Sequence, residues 1–136
     1  MNSDDVLTQT SRWLLYARRD LSGAVDAIKN CPPFYPHVCT FSQQASEKAI
    51  KACLVYVQMD FPKIHDLNRL RRMLPSECGL AHLERGLARL SQWASESRYP
   101  SVWAEPTKED AEESLRTAQA VLKAVEAYFA SRGLSI

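Results

Sequence analysis

One stretch of the chain, residues 41–54, separates polar from apolar side chains with helical spacing. It lacks glycine and proline and is rich in Ala, Gln, Glu and Lys, which favour helices. At 100° per residue, one side carries small and apolar residues, namely Phe41, Ala45, Ala49, Ala52, Cys53 and, just beyond, Tyr56. The opposite side carries a polar stripe of Gln43, Gln44, Glu47, Lys48 and Lys51. The pattern predicts a central helix with one packed face and one polar stripe.

Similar periodicity elsewhere predicts four long helices and one short helix, with no strand signal. We expect the long helices at about 6–29, 38–59, 80–94 and 107–132, and the short one at about 67–74. Local signals set several of these limits. Pro32 and Pro33 end the first helix, and a turn at 34–37 precedes the second. Asp66 is a plausible N-cap for the short helix, and Thr107 begins the last helix with a capping-box variant.

Short connections between long helices place successive helices antiparallel. The predicted fold class is therefore all-α, an up-and-down four-helix bundle with one additional short helix. A chain of 136 residues suits one domain, spanning 1–136. Gly86 lies inside the predicted fourth helix, where glycine costs about 1 kcal/mol relative to alanine. A close helix crossing at Gly86 would explain that cost.

Composition narrows the function classes. Seventeen basic and sixteen acidic residues leave a net charge of +1, so nucleic-acid or membrane binding requires a local patch. No apolar run reaches transmembrane length, and the acidic N-terminus differs from a signal peptide, so we expect a cytoplasmic protein. The cysteines lack CxxC spacing and are interpreted as reduced thiols: Cys31, Cys39, Cys53 and Cys78. Without Glu-x-x-His pairs, no metal site is expected, and no cofactor is indicated.

Three features could carry chemistry, and each also has a structural interpretation. The polar stripe could simply be solvent-exposed, with Glu47 and Lys51 as an i,i+4 pair worth a few tenths of a kcal/mol. His65 could act as a general base, or it could brace the start of the short helix. Arg98 and Tyr99 could hold a phosphate and stack a base, or they could plug the bundle.

Several motifs, in this order and spacing, resemble one known family. They are Trp13, Ala17, Asp20 and Leu21; Phe41-x-x-Gln44-Ala45-x-Glu47-Lys48-Ala49-x-Lys51-Ala52; Pro62-x-x-His65-Asp66-Leu67; Arg98-Tyr99-Pro100; and Thr107-x-x-Asp110-Ala111. Together they resemble the HEPN domain (higher eukaryotes and prokaryotes nucleotide-binding), in its small stand-alone prokaryotic type. The resemblance extends from about residue 6 to residue 131.

The resemblance implies a helical bundle that usually forms a homodimer and is often encoded beside a minimal nucleotidyltransferase in a toxin–antitoxin-like pair. Some such domains are metal-independent ribonuclease toxins with an Arg followed four to six residues later by a His. This sequence lacks that motif, so a ribonuclease is the alternative, with His65 as a weak catalytic candidate. Another alternative is a purely structural dimerising protein. Carried over by position, the nucleotide- or RNA-binding candidates are Gln44, Lys48, Lys51, His65, Arg98 and Tyr99.

Overall fold

The computed structural model describes residues 2–94 and 105–136, and every regular element in these ranges is helical. Five α-helices occur there in chain order: α1 (Ser3–Lys29), α2 (Tyr35–Tyr56), α3 (Leu67–Arg71), α4 (Glu84–Ser91) and α5 (Lys108–Ser131). Two 3-10 turns, Ser76–Cys78 and Ala81–Leu83, lie between α3 and α4. The predicted all-α fold is confirmed.

Helix α2 is the centre of this fold, because it contacts each of the other four helices. Its last turns are almost entirely apolar and are fully buried at Ala52, Cys53 and Leu54. Helix α5 packs against α2 with buried residues that include Val125 and Phe129. Burial of each large apolar side chain stabilises the fold by about 1.5–3 kcal/mol.

The interface between α1 and α2 is the most extensive contact between described helices, and small side chains build it. Ala17 and Ala24 of α1 are fully buried, as are Ser42 and Ala45 of α2. At Gly23 of α1, an added Cβ atom would lie only 3.2 Å from the Phe41 ring. These small residues allow the two long helices to lie side by side at short range.

Both ends of α2 differ from the sequence-based prediction. The helix begins at Tyr35, so the turn predicted at 34–37 is wrong for its last three residues. Pro36 is compatible with this start because proline in the first helical turn forgoes no intrahelical hydrogen bond. The helix ends at Tyr56, before the predicted limit near Met59. There the Met59 N–H donates to the Leu54 carbonyl and Gln58 adopts a left-handed conformation with φ of 57°, which stops the helix.

The start signals of α3 and α5 are confirmed. The Asp66 side chain accepts hydrogen bonds from the backbone N–H groups of Asn68 and Arg69, and Thr107 forms a reciprocal capping box with Asp110. These bonds satisfy backbone donors that have no partner within their own helix.

Helix α4 is shorter than the expected 80–94, because a 3-10 turn takes up Ala81–Leu83. Gly86 lies where α4 crosses α5, and an added Cβ atom would be 2.7 Å from the Thr117 Oγ1 atom. The close crossing expected at this glycine is therefore confirmed. Among the described helices, none has both the length and the apolar character needed to cross a bilayer.

Candidate functional site

The polar stripe of α2 is centred on the carboxylate of Glu47, which is only 5% exposed. Its Oε1 atom accepts a hydrogen bond from Gln43 Nε2 at 3.0 Å and lies 2.7 Å from His65 Nδ1. Its Oε2 atom accepts from Lys51 Nζ at 2.9 Å. Gln43 is fully buried and Lys51 is 8% exposed, so interpretation of the stripe as a solvent-exposed face is wrong for these three residues.

These contacts determine the charge state of Glu47. Burial acts to raise the pKa of the carboxyl, whereas hydrogen bonds from His65, Lys51 and Gln43 act to lower it. The lowering contributions together exceed the effect of burial, and the pKa of Glu47 falls below its ordinary value of 4.5. Glu47 is therefore an ionised carboxylate at neutral pH. Its stabilising contribution is fully present above the unfolded-state pKa and is lost as the pH falls through the folded-state pKa.

Lys51 links this network to two aromatic rings. Its Nζ atom lies 5.7 Å from the ring centroid of Trp13 on α1 and 5.5 Å from that of Phe61, which follows α2. The two rings meet edge to face, with centroids 6.3 Å apart. The positive charge of the buried ammonium group is stabilised by the Glu47 carboxylate and by the negative faces of the two rings. Lys51 thus joins α1, α2 and the segment after α2.

The predicted residues Gln44 and Lys48 lie at the outer edge of the network. Gln44 Nε2 donates to Gln43 Oε1 at 2.7 Å, which connects Gln44 to Glu47 through one amide. Lys48 Nζ forms a 2.6 Å ion pair with Asp20 Oδ2 on α1, and both side chains remain about one quarter exposed. The structure therefore brings Gln44, Lys51 and His65 into one hydrogen-bonded network, with Lys48 beside it in a separate pair.

The other two predicted residues, Arg98 and Tyr99, lie outside the described residues. Sequence reasoning missed the aromatic rings that flank Lys51. It left a solvent-exposed interpretation open for Gln43 and Glu47 and noted only the Glu47–Lys51 pair, although the i,i+4 spacing of Gln43, Glu47 and Lys51 is a signal for a continuous ladder along the helix. Within residues 2–94 and 105–136, no group of three or more His, Cys, Asp or Glu side chains is arranged to hold a metal ion.

The pairing of His65 with Glu47 has a chemical consequence. A carboxylate accepts hydrogen bonds, so the 2.7 Å contact requires an imidazole proton on Nδ1, and in the neutral ring Nε2 is then the nitrogen that can accept a proton. A carboxylate that orients a histidine in this way is typical of general bases. Asp66, the next residue along the chain, caps α3, and a carboxylate that contacts His65 is that of Glu47.

The fold and the site define a class of protein: an all-α domain whose central helix carries buried Gln43, Glu47 and Lys51, with His65 from the following segment bonded to the Glu47 carboxylate. The HEPN domain profile matches residues 10–128 of this sequence. The chain belongs to the HEPN domain family. No curated protein is significantly similar to it.

Two solved structures share the fold. TT1696 from Thermus thermophilus superposes with a TM-score of 0.76 and 26% identity, over 88% of this chain and 98% of that chain. ST0689, described as an archaeal HEPN homologue, superposes with a TM-score of 0.69 and 27% identity, over 88% of this chain and 96% of that chain. Both comparisons thus extend over nearly the whole length of the other protein.

Glu47→Ala tests whether the network is structural. The substitution leaves the Lys51 ammonium buried without its carboxylate, so we expect the free energy of unfolding at neutral pH to fall by about 3–5 kcal/mol. The control is Glu126→Ala, which removes an ion pair with Arg18 whose two side chains are 45% and 39% exposed. We expect the control to change stability by less than about 1 kcal/mol. Equal losses in denaturant unfolding of the two variants would contradict a structural role for the buried carboxylate.

Proposed function

We propose that this chain is a nucleotide- or RNA-binding module that works in the cytoplasm as a homodimer. Its proposed partner is a minimal nucleotidyltransferase, in a toxin–antitoxin-like pair. The observation that carries the proposal is membership of the HEPN family over residues 10–128, because that family is associated with nucleotides and RNA. The homodimer, the nucleotidyltransferase partner and the toxin–antitoxin-like relationship are proposed from the family resemblance.

The proposed binding edge lies along the outer side of the network and is formed by Gln44, Lys48, Lys51 and His65. Lys48 is the most suitable cation for an anionic ligand, since its side chain is 27% exposed and that of Lys51 is only 10% exposed. A phosphate would compete with Asp20 for the Lys48 ammonium. Glu47 and Asp20 balance the charges of Lys51 and Lys48, so strong phosphate binding at this edge requires a further cation, for which we propose Arg98.

Surface chemistry elsewhere is compatible with association between chains. Among residues 2–94 and 105–136, four large apolar side chains are each 44–49% exposed: Leu15, Tyr16, Phe34 and Met59. Leu15 and Tyr16 are neighbours on α1, where a second chain could cover them. This exposure supports an interaction surface on α1.

The double substitution Lys48→Ala and Arg98→Ala tests the binding edge. Loss of two phosphate-binding cations should weaken binding of nucleotides or of short single-stranded RNA by at least about tenfold in calorimetric titrations. The control is Arg116→Ala with Lys123→Ala, which removes the same charge from two exposed positions on α5. Unchanged affinity in the first double variant would exclude this edge. Failure of the wild-type chain to bind any nucleotide or RNA would favour the purely structural dimerising protein.

The contact between His65 and Glu47 favours a second candidate, a metal-independent ribonuclease toxin, although the Arg-x4–6-His motif is absent. An oriented imidazole could remove the proton from a ribose 2′-hydroxyl and so promote attack on the adjacent phosphate. This candidate predicts that purified protein cleaves RNA in the presence of EDTA and that His65→Ala lowers the rate at least about a hundredfold. The control His82→Ala alters an exposed histidine on the 3-10 turn. Intact RNA after prolonged incubation would exclude this candidate.

A further inference from the structure

A cleft of about 700 Å³ lies between the first half of α1 and the end of α2. Its walls include the rings of Trp13 and Phe61, and its polar groups include the side chains of Gln9, Gln58 and Asp60. Its volume and its mixture of aromatic walls with a few polar groups are typical of small-molecule sites. The same two rings flank Lys51, so this cleft, which we call the Trp13 cleft, adjoins the buried network.

A second cavity of about 280 Å³ continues from the Trp13 cleft, since it shares Gln9 and Trp13 and adds Arg12 and Tyr16. Arg12 and Asp60 are both exposed, and neither forms an ion pair with another residue in the described part of the chain. The Arg12 guanidinium and the Asp60 carboxylate, which have no ion-pair partner in that part of the chain, therefore line two adjoining cavities that share Trp13. This arrangement suits an elongated ligand with a hydrogen-bond donor at one end and an anion at the other.

Gln58 provides an independent observation at the cleft. It has a φ of 57°, in the left-handed region, at the position after the α2 cap where glycine is usual. For a residue with a Cβ atom this conformation is unfavourable by about 1–2 kcal/mol. Glycine would relieve that strain but would remove an amide from the cleft wall. Residues held in strained conformations occur preferentially at binding sites.

We propose that the Trp13 cleft binds the base of a guanine nucleotide, with the 5′-phosphate directed towards Arg12. The proposal rests on the nucleotide-binding function proposed above and assigns the base to residues outside its binding edge. The base stacks on the Trp13 ring, and the Asp60 carboxylate accepts hydrogen bonds from the guanine N1–H and N2–H2 groups. The Gln9 and Gln58 amides are available for the remaining polar atoms of the base.

The donor pattern of the bases favours guanine. A carboxylate only accepts hydrogen bonds, and guanine presents two adjacent donor groups on its Watson–Crick edge, whereas adenine and cytosine each present one amino group there. The nearby Lys51 ammonium opposes a cationic ligand in the same aromatic cleft, which disfavours a lysine or arginine side chain from a partner protein. Repulsion from Asp60 directs the phosphate to the other end of the site, where the Arg12 guanidinium can receive it.

Calorimetric titration of the full-length chain with GMP, AMP, CMP and UMP tests base selection. We expect GMP to bind about tenfold more tightly than AMP. Asp60→Asn should bring this ratio close to one, because an amide no longer offers two acceptor sites to guanine. The control Asp26→Asn removes the same charge from α1, near its end and away from the cleft, and should leave the ratio unchanged. A short RNA with a 5′-phosphorylated guanosine, titrated in parallel, distinguishes an RNA end from a free nucleotide as the source of the base.

The substitution Gln58→Gly is expected to change GMP affinity and folding stability in opposite directions. Relief of the left-handed strain should raise the unfolding midpoint by about 3 °C, while loss of the amide weakens GMP binding several-fold. A variant that is more stable but binds less well cannot owe its weaker binding to misfolding. Unchanged GMP affinity in this variant would show that the Gln58 side chain does not contribute to the site.

The outcomes distinguish this inference from the proposed function. If nucleotides bind with an affinity that depends on Lys48 and Arg98 but without base preference, or if Asp60→Asn retains the GMP preference, the inference is wrong and the proposed function stands. If GMP binds selectively and its affinity is unchanged by the substitutions of Lys48 and Arg98, the Trp13 cleft is the site and the proposed binding edge is wrong. Absence of binding by any nucleotide or RNA overturns both.

Discussion

The buried carboxylate of Glu47 imposes the strictest constraint on this fold. A carboxylate withdrawn from water loses several kcal/mol of solvation unless donors and an opposite charge replace the water. Here Gln43 and Lys51, one helical turn away on either side, and His65, 18 residues further along the chain, supply these partners. Compensation of one charge therefore requires the segment after α2 to fold back over the same helix.

Compensation of the Glu47 charge also constrains the position of α1, because Lys51 contacts both Glu47 and a ring on α1. Its ammonium group contacts the Glu47 carboxylate and two aromatic rings, one on α1 and one after α2. The distance between α1 and α2 must suit these contacts, and the small residues Ala17, Ala24 and Ala45 in their interface permit a close approach. Lys51 thus belongs to the structural network and to the proposed binding edge, and it contacts two rings that line the Trp13 cleft.

Local signals were sufficient to predict most of the fold. Caps at Asp66 and Thr107 act within their own first turn, and Gly86 marks a crossing that only a residue without a Cβ atom allows. The start of α2 was missed because Pro36 usually suggests a turn, although the first helical turn also tolerates proline. The length of α4 was overestimated because leucine periodicity does not distinguish a 3-10 turn at Ala81–Leu83 from an α-helix.

The site was harder to predict than the fold, because its burial depends on partners distant in sequence. Helical periodicity places charged residues on the outside, and nothing between residues 41 and 54 indicates that Phe61 and His65 cover them. Family resemblance drew attention to α2 and His65, but it did not identify their contacts. The cleft is also a tertiary feature, since Trp13 belongs to α1 whereas Gln58 and Asp60 follow α2.

An ionised Glu47, compensated by its hydrogen-bond and ion-pair partners, stabilises the native fold. The most direct test compares unfolding free energies of the wild-type chain and Glu47→Gln from about pH 6 to about pH 3, because the other acidic groups titrate alike in both proteins. Since the folded-state pKa of Glu47 lies below 4.5, the unfolded state binds more protons in this range, and wild-type stability falls as the carboxylate is protonated. We predict that the stability advantage of the wild type shrinks as the pH falls. An advantage that stays constant or grows towards pH 3 would contradict the account.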